Sequence, residues 1–487
     1  MKSAVRFVIL LTAAVMWACS ATRHVPQGSY LLDKVNIELD MAPGDTTVVD
    51  RTELYNYLRQ QPNHKVLGFA RMQLGVYNMS GADTSRWYNR WLRRLGQPPV
   101  IYSPEQTAMS ANQLRQAMVN KGYLSASVQV DSVTDTARRR ASVSYRIDPG
   151  MPHRISSLAY EVTDTAIERI LREGGYLMQG LHRGDNLDRA ALDAERSRIT
   201  AVLRDNGYYA FSKEYVTFIA DTAENSLDVD LTMVVRPLAS TASRTTGGDV
   251  RDYSPHHIYT INRVIFVTGL PQGANPVSGM PAGADTVRYK DITVVYGGGD
   301  RYLNASVLQE KCFIEPGERY STAMVDRTYE ALAQLGIIRS INIDMVPCAT
   351  IDGNEMLDAY IVLGRNKKQG VTAELEGTNS EGDLGFGVGL AYQHRNVAHR
   401  SNLLTTKLRI NYESLSGNFT NLINDRYTEY AAEASLTFPK FLMPIVSREF
   451  KRRSKASTEV ALSFNYQERP EYTRVIAGAA WKYRWNS

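Results

Sequence analysis

The order of apolar and polar positions divides the chain into two parts. In the first part, apolar residues recur at helical spacing in three segments, and two short stretches of alternating apolar and polar residues follow each segment. Each helix ends in a glycine and a bulky residue; glycine is a common helix cap because it adopts the left-handed conformation without strain. Tyr123, Tyr208 and Ile337 are expected to fold back onto the helices. The helix ends lie at 114–123, 199–208 and 329–338, with Gly122, Gly207 and Gly336 as caps.

The middle segment gives the full order of elements. It predicts a strand over 155–162, helices over 164–173 and 186–205, and strands over 214–220 and 227–235. This β-α-α-β-β order places two helices on one face of a small sheet, which is a stable two-layer arrangement. The flanking repeats carry predicted strands at 35–39, 125–131 and 141–147, and at 259–267, 339–346 and 357–363.

From Gln369 onward the helical spacing gives way to long alternation with a period of two, which predicts six strands. They are apolar on one side and charged on the other, with aromatic residues near their ends. A transmembrane β-barrel has this pattern, and so does a soluble antiparallel sheet with one wet face. Strand length and repetition favour the membrane. The predicted strands include residues 371–376, 386–392, 404–413, 429–438, 459–466 and 474–485.

The N-terminus predicts export. Lys2 and Arg6 precede an apolar run at 7–17, too short to span a bilayer as a helix. The run ends in Met16-Trp17-Ala18-Cys19, which is similar to a lipobox, in which Cys19 receives lipid after cleavage. Met16 and Trp17 depart from the usual residues, and the alternative is an ordinary signal peptide with a chance cysteine.

Composition and motifs give no case for catalysis or for nucleic acid. The 56 Lys and Arg residues nearly balance the 51 Asp and Glu residues. The run Tyr296-Gly297-Gly298-Gly299-Asp300 lacks the spacing and the lysine of a phosphate loop, and predicts a turn between strands at 287–296 and 301–308. We expect His256 and His257 to be surface residues, Arg138-Arg139-Arg140 to be a solvated turn, and Cys312 and Cys348 to be separate buried thiols, although an oxidising compartment permits their pairing. No enzyme activity, cofactor or metal is predicted.

Three segments, together with the repeats, resemble a known family. They are Cys19-Ser20-Ala21-Thr22-Arg23 with Val25-Pro26-Gln27-Gly28-Ser29-Tyr30-Leu31-Leu32, then Arg93-Arg94-Leu95-Gly96-Gln97-Pro98-Pro99-Val100, and Glu315-Pro316-Gly317-Glu318-Arg319-Tyr320. The chain resembles the BamA/TamA superfamily of outer-membrane assembly factors, in its TamL-like lipoprotein branch. The resemblance implies α+β tandem POTRA domains followed by the first strands of an antiparallel transmembrane β-barrel.

The implied domain boundaries follow the pattern changes. Residues 1–18 are a lipoprotein signal peptide, and 19–150 and 151–238 are the first two POTRA-like domains, the first with an insertion around 62–91. A linker covers 239–255, a third domain with an insertion at 269–285 covers 256–366, and a partial barrel covers 367–487. A complete barrel of this family has sixteen strands. The 119 residues from Gln369 to Ser487 provide six, and the family's Arg-Gly-Phe/Tyr motif is absent, so we expect a truncated version of a longer protein.

The resemblance implies a function without catalysis. Edge strands of the POTRA-like domains would bind client or partner chains and deliver them to the barrel. The expected partners are outer-membrane lipid, a TamB-like periplasmic protein and unfolded outer-membrane clients. The expected location is the bacterial outer membrane, with a lipid anchor and with the POTRA-like domains in the periplasm. The alternatives are a dedicated secretion pore and a membrane-anchored periplasmic scaffold with a vestigial barrel.

Overall fold

A computed structural model gives the architecture of the chain. It describes residues 22–485 except 44, 46, 48, 67–70, 82, 224–225, 240–252, 270–282, 352–353, 381–382, 415–425, 448–449, 451–453, 455 and 470–471. Contacts divide the chain into two compact units, Met1–Ile199 with Ser212–Pro237, and Thr200–Phe211 with Leu238–Ser487. No helix in the described part of the chain is long and apolar enough to cross a membrane.

The first repeat has the predicted order, and its insertion is helical. Its three strands form a sheet with the order β1-β3-β2, in which β1 is parallel to β3. The long helix begins at Ser103, whose side chain caps it, with Pro104 in the first turn. Its elements are β1 (Leu31–Leu39), α1 (Arg51–Leu54), a 3-10 turn (Tyr55–Tyr57), α2 (Met72–Met79), α3 (Trp87–Leu95), α4 (Pro104–Asn120), β2 (Ser127–Asp135) and β3 (Arg140–Asp148).

The second repeat confirms the β-α-α-β-β order read from the sequence. Asp164 caps its first helix by accepting a hydrogen bond from the Ala166 backbone N–H at 2.9 Å. Its sheet has the order β4-β6-β5, with β4 parallel to β6. The elements are β4 (Arg154–Val162), α5 (Thr165–Glu173), α6 (Arg189–Asp205), a 3-10 turn (Lys213–Tyr215), β5 (Val216–Asp221) and β6 (Asp228–Val235).

The third repeat has the expected strands and helices plus one unpredicted hairpin. The predicted strand 287–296 is two strands that turn at Lys290, whose φ is +51°. The predicted strand 301–308 is wrong, because a helix begins at Ala305 and buries Val307 and Leu308 in the core. The elements are β7 (Leu238–Ala239), β8 (Tyr253–Ser254), β9 (Tyr259–Thr268), β10 (Asp285–Tyr289), β11 (Ile292–Tyr296), a 3-10 turn (Gly297–Gly299), α7 (Ala305–Lys311), α8 (Thr322–Ala333), β12 (Ile338–Ile351) and β13 (Asn354–Arg365), with sheet order β10-β11-β9-β13-β12.

All six predicted C-terminal strands are present. They form one antiparallel sheet in chain order, from β14 to β19. The predicted fold class, POTRA-like repeats followed by antiparallel strands, is therefore confirmed. The strands are β14 (Gln369–Ser380), β15 (Asp383–Val397), β16 (Asn402–Ser414), β17 (Arg426–Phe438), β18 (Ser457–Glu468) and β19 (Thr473–Arg484).

The predicted left-handed glycine after the long helix is present in two repeats out of three. Gly122 and Gly207 have φ values of +96° and +104°, as predicted. Gly336 is not among the glycines with positive φ, so the prediction of a left-handed cap there is wrong. The third helix instead ends at Gln334 in the right-handed region. The residues that follow the glycines behave as expected, because Tyr123, Tyr208 and Ile337 are all buried.

Candidate binding surfaces

The glycine-rich run at 296–300 serves packing. Gly297–Gly299 form a short 3-10 turn after β11. A Cβ atom on Gly269 would lie 2.5 Å from the Gly297 carbonyl oxygen, so the two backbones meet where no side chain fits. Within the described ranges, no group of three His, Cys, Asp or Glu residues is placed to hold a metal ion.

His256 is buried, and its prediction as a surface residue is wrong. Its ring lies edge-on to Phe211, with the ring centroids 4.8 Å apart, because the aromatic contact draws it out of solvent. His257 is exposed, as expected. No disulfide joins Cys312 and Cys348, which confirms separate thiols, and Cys312 is buried as expected. The prediction that Cys348 is buried is wrong, because Cys348 lies on the edge strand β12 and is exposed. Cys19 lies outside the described residues.

The arginine run at the β2–β3 turn is partly engaged with the protein. Arg139 has a φ of +53° and donates a hydrogen bond to the Val25 carbonyl at 2.8 Å. Arg140 lies 3.8 Å from Asp33. The expectation of a solvated turn is therefore wrong for these two residues, because the turn folds back onto the N-terminal segment.

Among the three repeats, the most open strand edge belongs to β2. This strand forms one side of the first sheet, and nearly all of its residues are exposed. Among the described residues, no strand or isolated bridge pairs with its outer side. Its nine residues contain neither proline nor lysine, the residues that commonly protect an edge, and Val133 is 70% exposed. The row of backbone donors and acceptors is available to an extended chain.

The other edges within the repeats are shorter or more protected. The start of β1 is covered, because the Leu32 N–H donates to the Val100 carbonyl at 2.8 Å. The strand β5 is an edge of six residues. The long edge β12 is interrupted by a bulge between Pro347 and Ala349. These differences single out β2 as the candidate site for strand addition.

The six-stranded sheet exposes its apolar face. Opposite residues in register continue one apolar band across the strands: Phe386 pairs with Tyr412, and Val388 pairs with Ile410. Ile410 is 50% exposed and Leu462 is 60% exposed, although large apolar residues of a soluble sheet are ordinarily covered. Other exposed members of this band are Leu375, Leu390, Leu408, Tyr430, Phe464, Val475 and Trp481.

The opposite face of the same sheet is polar, and its side chains form ion pairs and hydrogen bonds with one another. Arg409 reaches Glu376 at 3.5 Å across Gly387, and a Cβ atom on Gly387 would lie 2.6 Å from the Asn411 Oδ1 atom. Asn411 donates to Glu429 at 2.9 Å. Arg409, Asn411 and Glu429 line a depression of about 480 Å³. The two faces therefore suit an apolar medium on one side and water on the other.

The turn between β15 and β16 fastens this sheet to the third repeat. Three hydrogen bonds join this turn to the loop before α7. The His399 carbonyl accepts from the Asn304 N–H at 2.9 Å, and the His399 ring bonds to the Arg301 carbonyl at 3.1 Å. Asn396 donates to the Tyr302 carbonyl. Both partners belong to the same compact unit. The repeat and the sheet are thus joined by more than the chain connection.

Comparisons with known proteins give structural likenesses only. No protein-family model matches the sequence, and no curated protein matches it. The POTRA3–5 segment of Haemophilus influenzae BamA matches with 15% identity and a TM-score of 0.34 over 70% of this chain and 99% of that chain. BamA from Haemophilus ducreyi lacking POTRA domains 1–3 matches with 12% identity and a TM-score of 0.35, over 69% and 60%. CdiB from Acinetobacter baumannii matches with 9% identity and a TM-score of 0.29, over 69% and 59%. The chain covers less than two thirds of the last two.

Proposed function

We propose that the chain is an outer-membrane assembly or translocation factor of the TamL-like kind. The observation that carries the proposal is the six-stranded sheet, whose exposed apolar face fits lipid and whose opposite face is polar. In this proposal Cys19 carries a lipid anchor, the three repeats stand in the periplasm, and the chain acts without catalysis or a cofactor.

The binding step is strand addition at β2. An incoming extended segment pairs its backbone with the outer side of β2, and main-chain hydrogen bonds give affinity with little dependence on the client's sequence. Unfolded outer-membrane chains are rich in such segments. A TamB-like periplasmic protein, which the family resemblance implies, is a second partner that this edge can accept.

Two neighbouring proline variants test this step. Successive N–H groups of a strand point to opposite edges, so one of Asp131→Pro and Ser132→Pro removes an outward donor and the other removes a donor to β3. We expect the outward variant to keep its unfolding temperature and to lose at least about tenfold in affinity for an unfolded outer-membrane protein. The inward variant should lose about 1 kcal/mol or more of stability.

The matched control is Asp131→Ala with Ser132→Ala, which keeps both N–H groups. Client affinity is measured by crosslinking and by fluorescence anisotropy with a labelled unfolded client. Unchanged affinity in both proline variants, with the fold intact, would show that clients do not bind at β2.

A further inference from the structure

The helix α3 is amphipathic, but it faces the protein with its polar side. Asn89 is buried, and Leu92 and Arg93 are half-buried, so positions i, i+3 and i+4 form the inner face. Trp87, Trp91 and Leu95 follow one another at i+4 spacing on the outer face. Their exposed fractions are 73%, 55% and 54%. A helix of a soluble protein ordinarily shows the reverse arrangement.

Specific polar contacts hold the helix in this orientation. Asn89 accepts a hydrogen bond from the Gly81 N–H at 2.9 Å and donates to the Asp83 carbonyl at 2.7 Å. Arg93 donates to the Ser80 hydroxyl at 3.2 Å and to the Gly81 carbonyl at 3.0 Å. Rotating the helix to bury its tryptophans would break these bonds and bury arginine, which is costly. The exposed stripe is therefore a fixed feature of the fold.

A row of arginines runs beside the exposed tryptophans. Arg90 and Arg94 are exposed one turn apart. Arg86, at the N-cap of the helix, lies 3.3 Å from Asp83. Tryptophan beside arginine on one helix face is typical of helices that lie in the interface between lipid headgroups and acyl chains.

The residues that follow the lipobox pack on this hairpin. Arg23 donates to the Asn78 carbonyl at 3.1 Å, and the His24 ring bonds to the Ser80 carbonyl at 3.2 Å. Val25 is buried against Leu74. Four residues of extended chain span at most about 14 Å, so a lipid on Cys19 would hold Arg23 close to the membrane surface.

We propose that α3 is an interfacial helix that lies on the anionic phospholipid surface of the membrane. Trp87, Trp91 and Leu95 enter the boundary between headgroups and acyl chains, and Arg90 and Arg94 bind lipid phosphates. The inference deepens the proposed function, on which it rests for the choice of membrane.

Tryptophan fluorescence of the full chain tests the proposal. In one variant Trp17, Trp481 and Trp485 are changed to phenylalanine, so that Trp87 and Trp91 remain. The chain is reconstituted into vesicles of phosphatidylethanolamine and phosphatidylglycerol with brominated acyl chains. We expect blue-shifted emission that the bromolipids quench by about half or more. Arg90→Glu with Arg94→Glu should lower the ratio of lipid-bound to lipid-detached helix by about fivefold or more per charge.

Two controls separate this proposal from the proposed function. Arg115→Glu with Arg169→Glu changes two exposed arginines on α4 and α5 and should leave the quenching unchanged. A second variant keeps only Trp481 and reports insertion of the sheet. Quenched Trp481 with solvent-like, unquenched Trp87 and Trp91 would overturn the interfacial helix and favour a protein partner for this surface. Quenched Trp87 and Trp91 with unquenched Trp481 would support the helix and contradict the transmembrane sheet.

Discussion

At the scale of single residues, one buried pair ties the first repeat to the second. The Tyr123 hydroxyl donates to Asp45 at 2.6 Å, and the Asp45 side chain, inaccessible to solvent, also lies 3.4 Å from Arg154 of the second repeat. Burial by itself raises the pKa of Asp45, but hydrogen bonds from Tyr123 and Thr47 and the charge of Arg154 bring that pKa below its usual value. Burial and the bond to Asp45 raise the pKa of Tyr123 to about 12.

These shifts predict how stability depends on pH. An unfolded tyrosine titrates near pH 10, so Tyr123 stabilises the fold below that pH, and its contribution is lost as the pH rises to about 12. Asp45 contributes above the pKa of an unfolded aspartate, near 3.9, and loses its contribution as the pH falls through its lower folded value. Tyr123→Phe should lower the free energy of unfolding by about 1–3 kcal/mol at neutral pH. The variant should also lack the part of the stability loss at high pH that the ionisation of Tyr123 causes.

Urea unfolding of the variant at several pH values measures this loss. Tyr160→Phe, at an exposed tyrosine of the second repeat, is the control and should change little. An alkaline loss of the same size in Tyr123→Phe and in the parent chain would contradict the assignment.

At the scale of elements, the glycine that caps the long helix in the first two repeats also accepts a hydrogen bond from the segment that follows the repeat. The His153 N–H donates to the Gly122 carbonyl at 2.9 Å, and the Tyr259 N–H donates to the Gly207 carbonyl at 2.8 Å. In the third repeat the acceptor is Ile337, which binds the Asn366 N–H at 2.8 Å. The sequence predicts the glycine caps of the first two repeats correctly, because glycine and apolar spacing are local signals. It cannot predict that Gly336 needs no left-handed turn, because that depends on the neighbouring backbone.

Alanine at these glycines should therefore have unequal effects. A Cβ atom on Gly122 would lie 3.1 Å from the Leu187 backbone nitrogen, and its φ is positive, so Gly122→Ala should cost about 1–3 kcal/mol. No atom lies within 4 Å of a Cβ on Gly336, and Gly336→Ala should be neutral or stabilise by up to about 1 kcal/mol. Thermal unfolding of both variants measures the difference. If both substitutions change the free energy of unfolding equally, the close approach of the Leu187 backbone does not explain the glycine at 122.

At the scale of the whole molecule, the periodicity of apolar residues shows that the two faces of a strand or helix differ. It does not show what covers each face. The six C-terminal strands were predictable because alternation persists over each of them. The same reasoning would bury Trp87 and Trp91 of α3, whereas the structure buries Asn89 through hydrogen bonds to the turn that precedes α3. The hairpin at Lys290 was also missed, since its turn interrupts one apolar run. Apolar periodicity records neither a side-chain hydrogen bond nor a single left-handed residue.

The sheet offers the sharpest whole-molecule prediction, because two adjacent alanines lie on opposite faces. Ala432 stands between Leu408 and Phe464 in register, and Ala431 stands between Arg409 and Asn465. If the apolar face meets lipid, Ala432→Arg should cost about 2–4 kcal/mol near the bilayer midplane and less toward its surfaces. Ala431→Arg, flanked on the polar face by Glu429 and Glu433, should cost little. Urea unfolding of both variants in lipid vesicles compares them. A soluble sheet would expose both positions to water, and equal tolerance of the two arginines would therefore rule out the membrane.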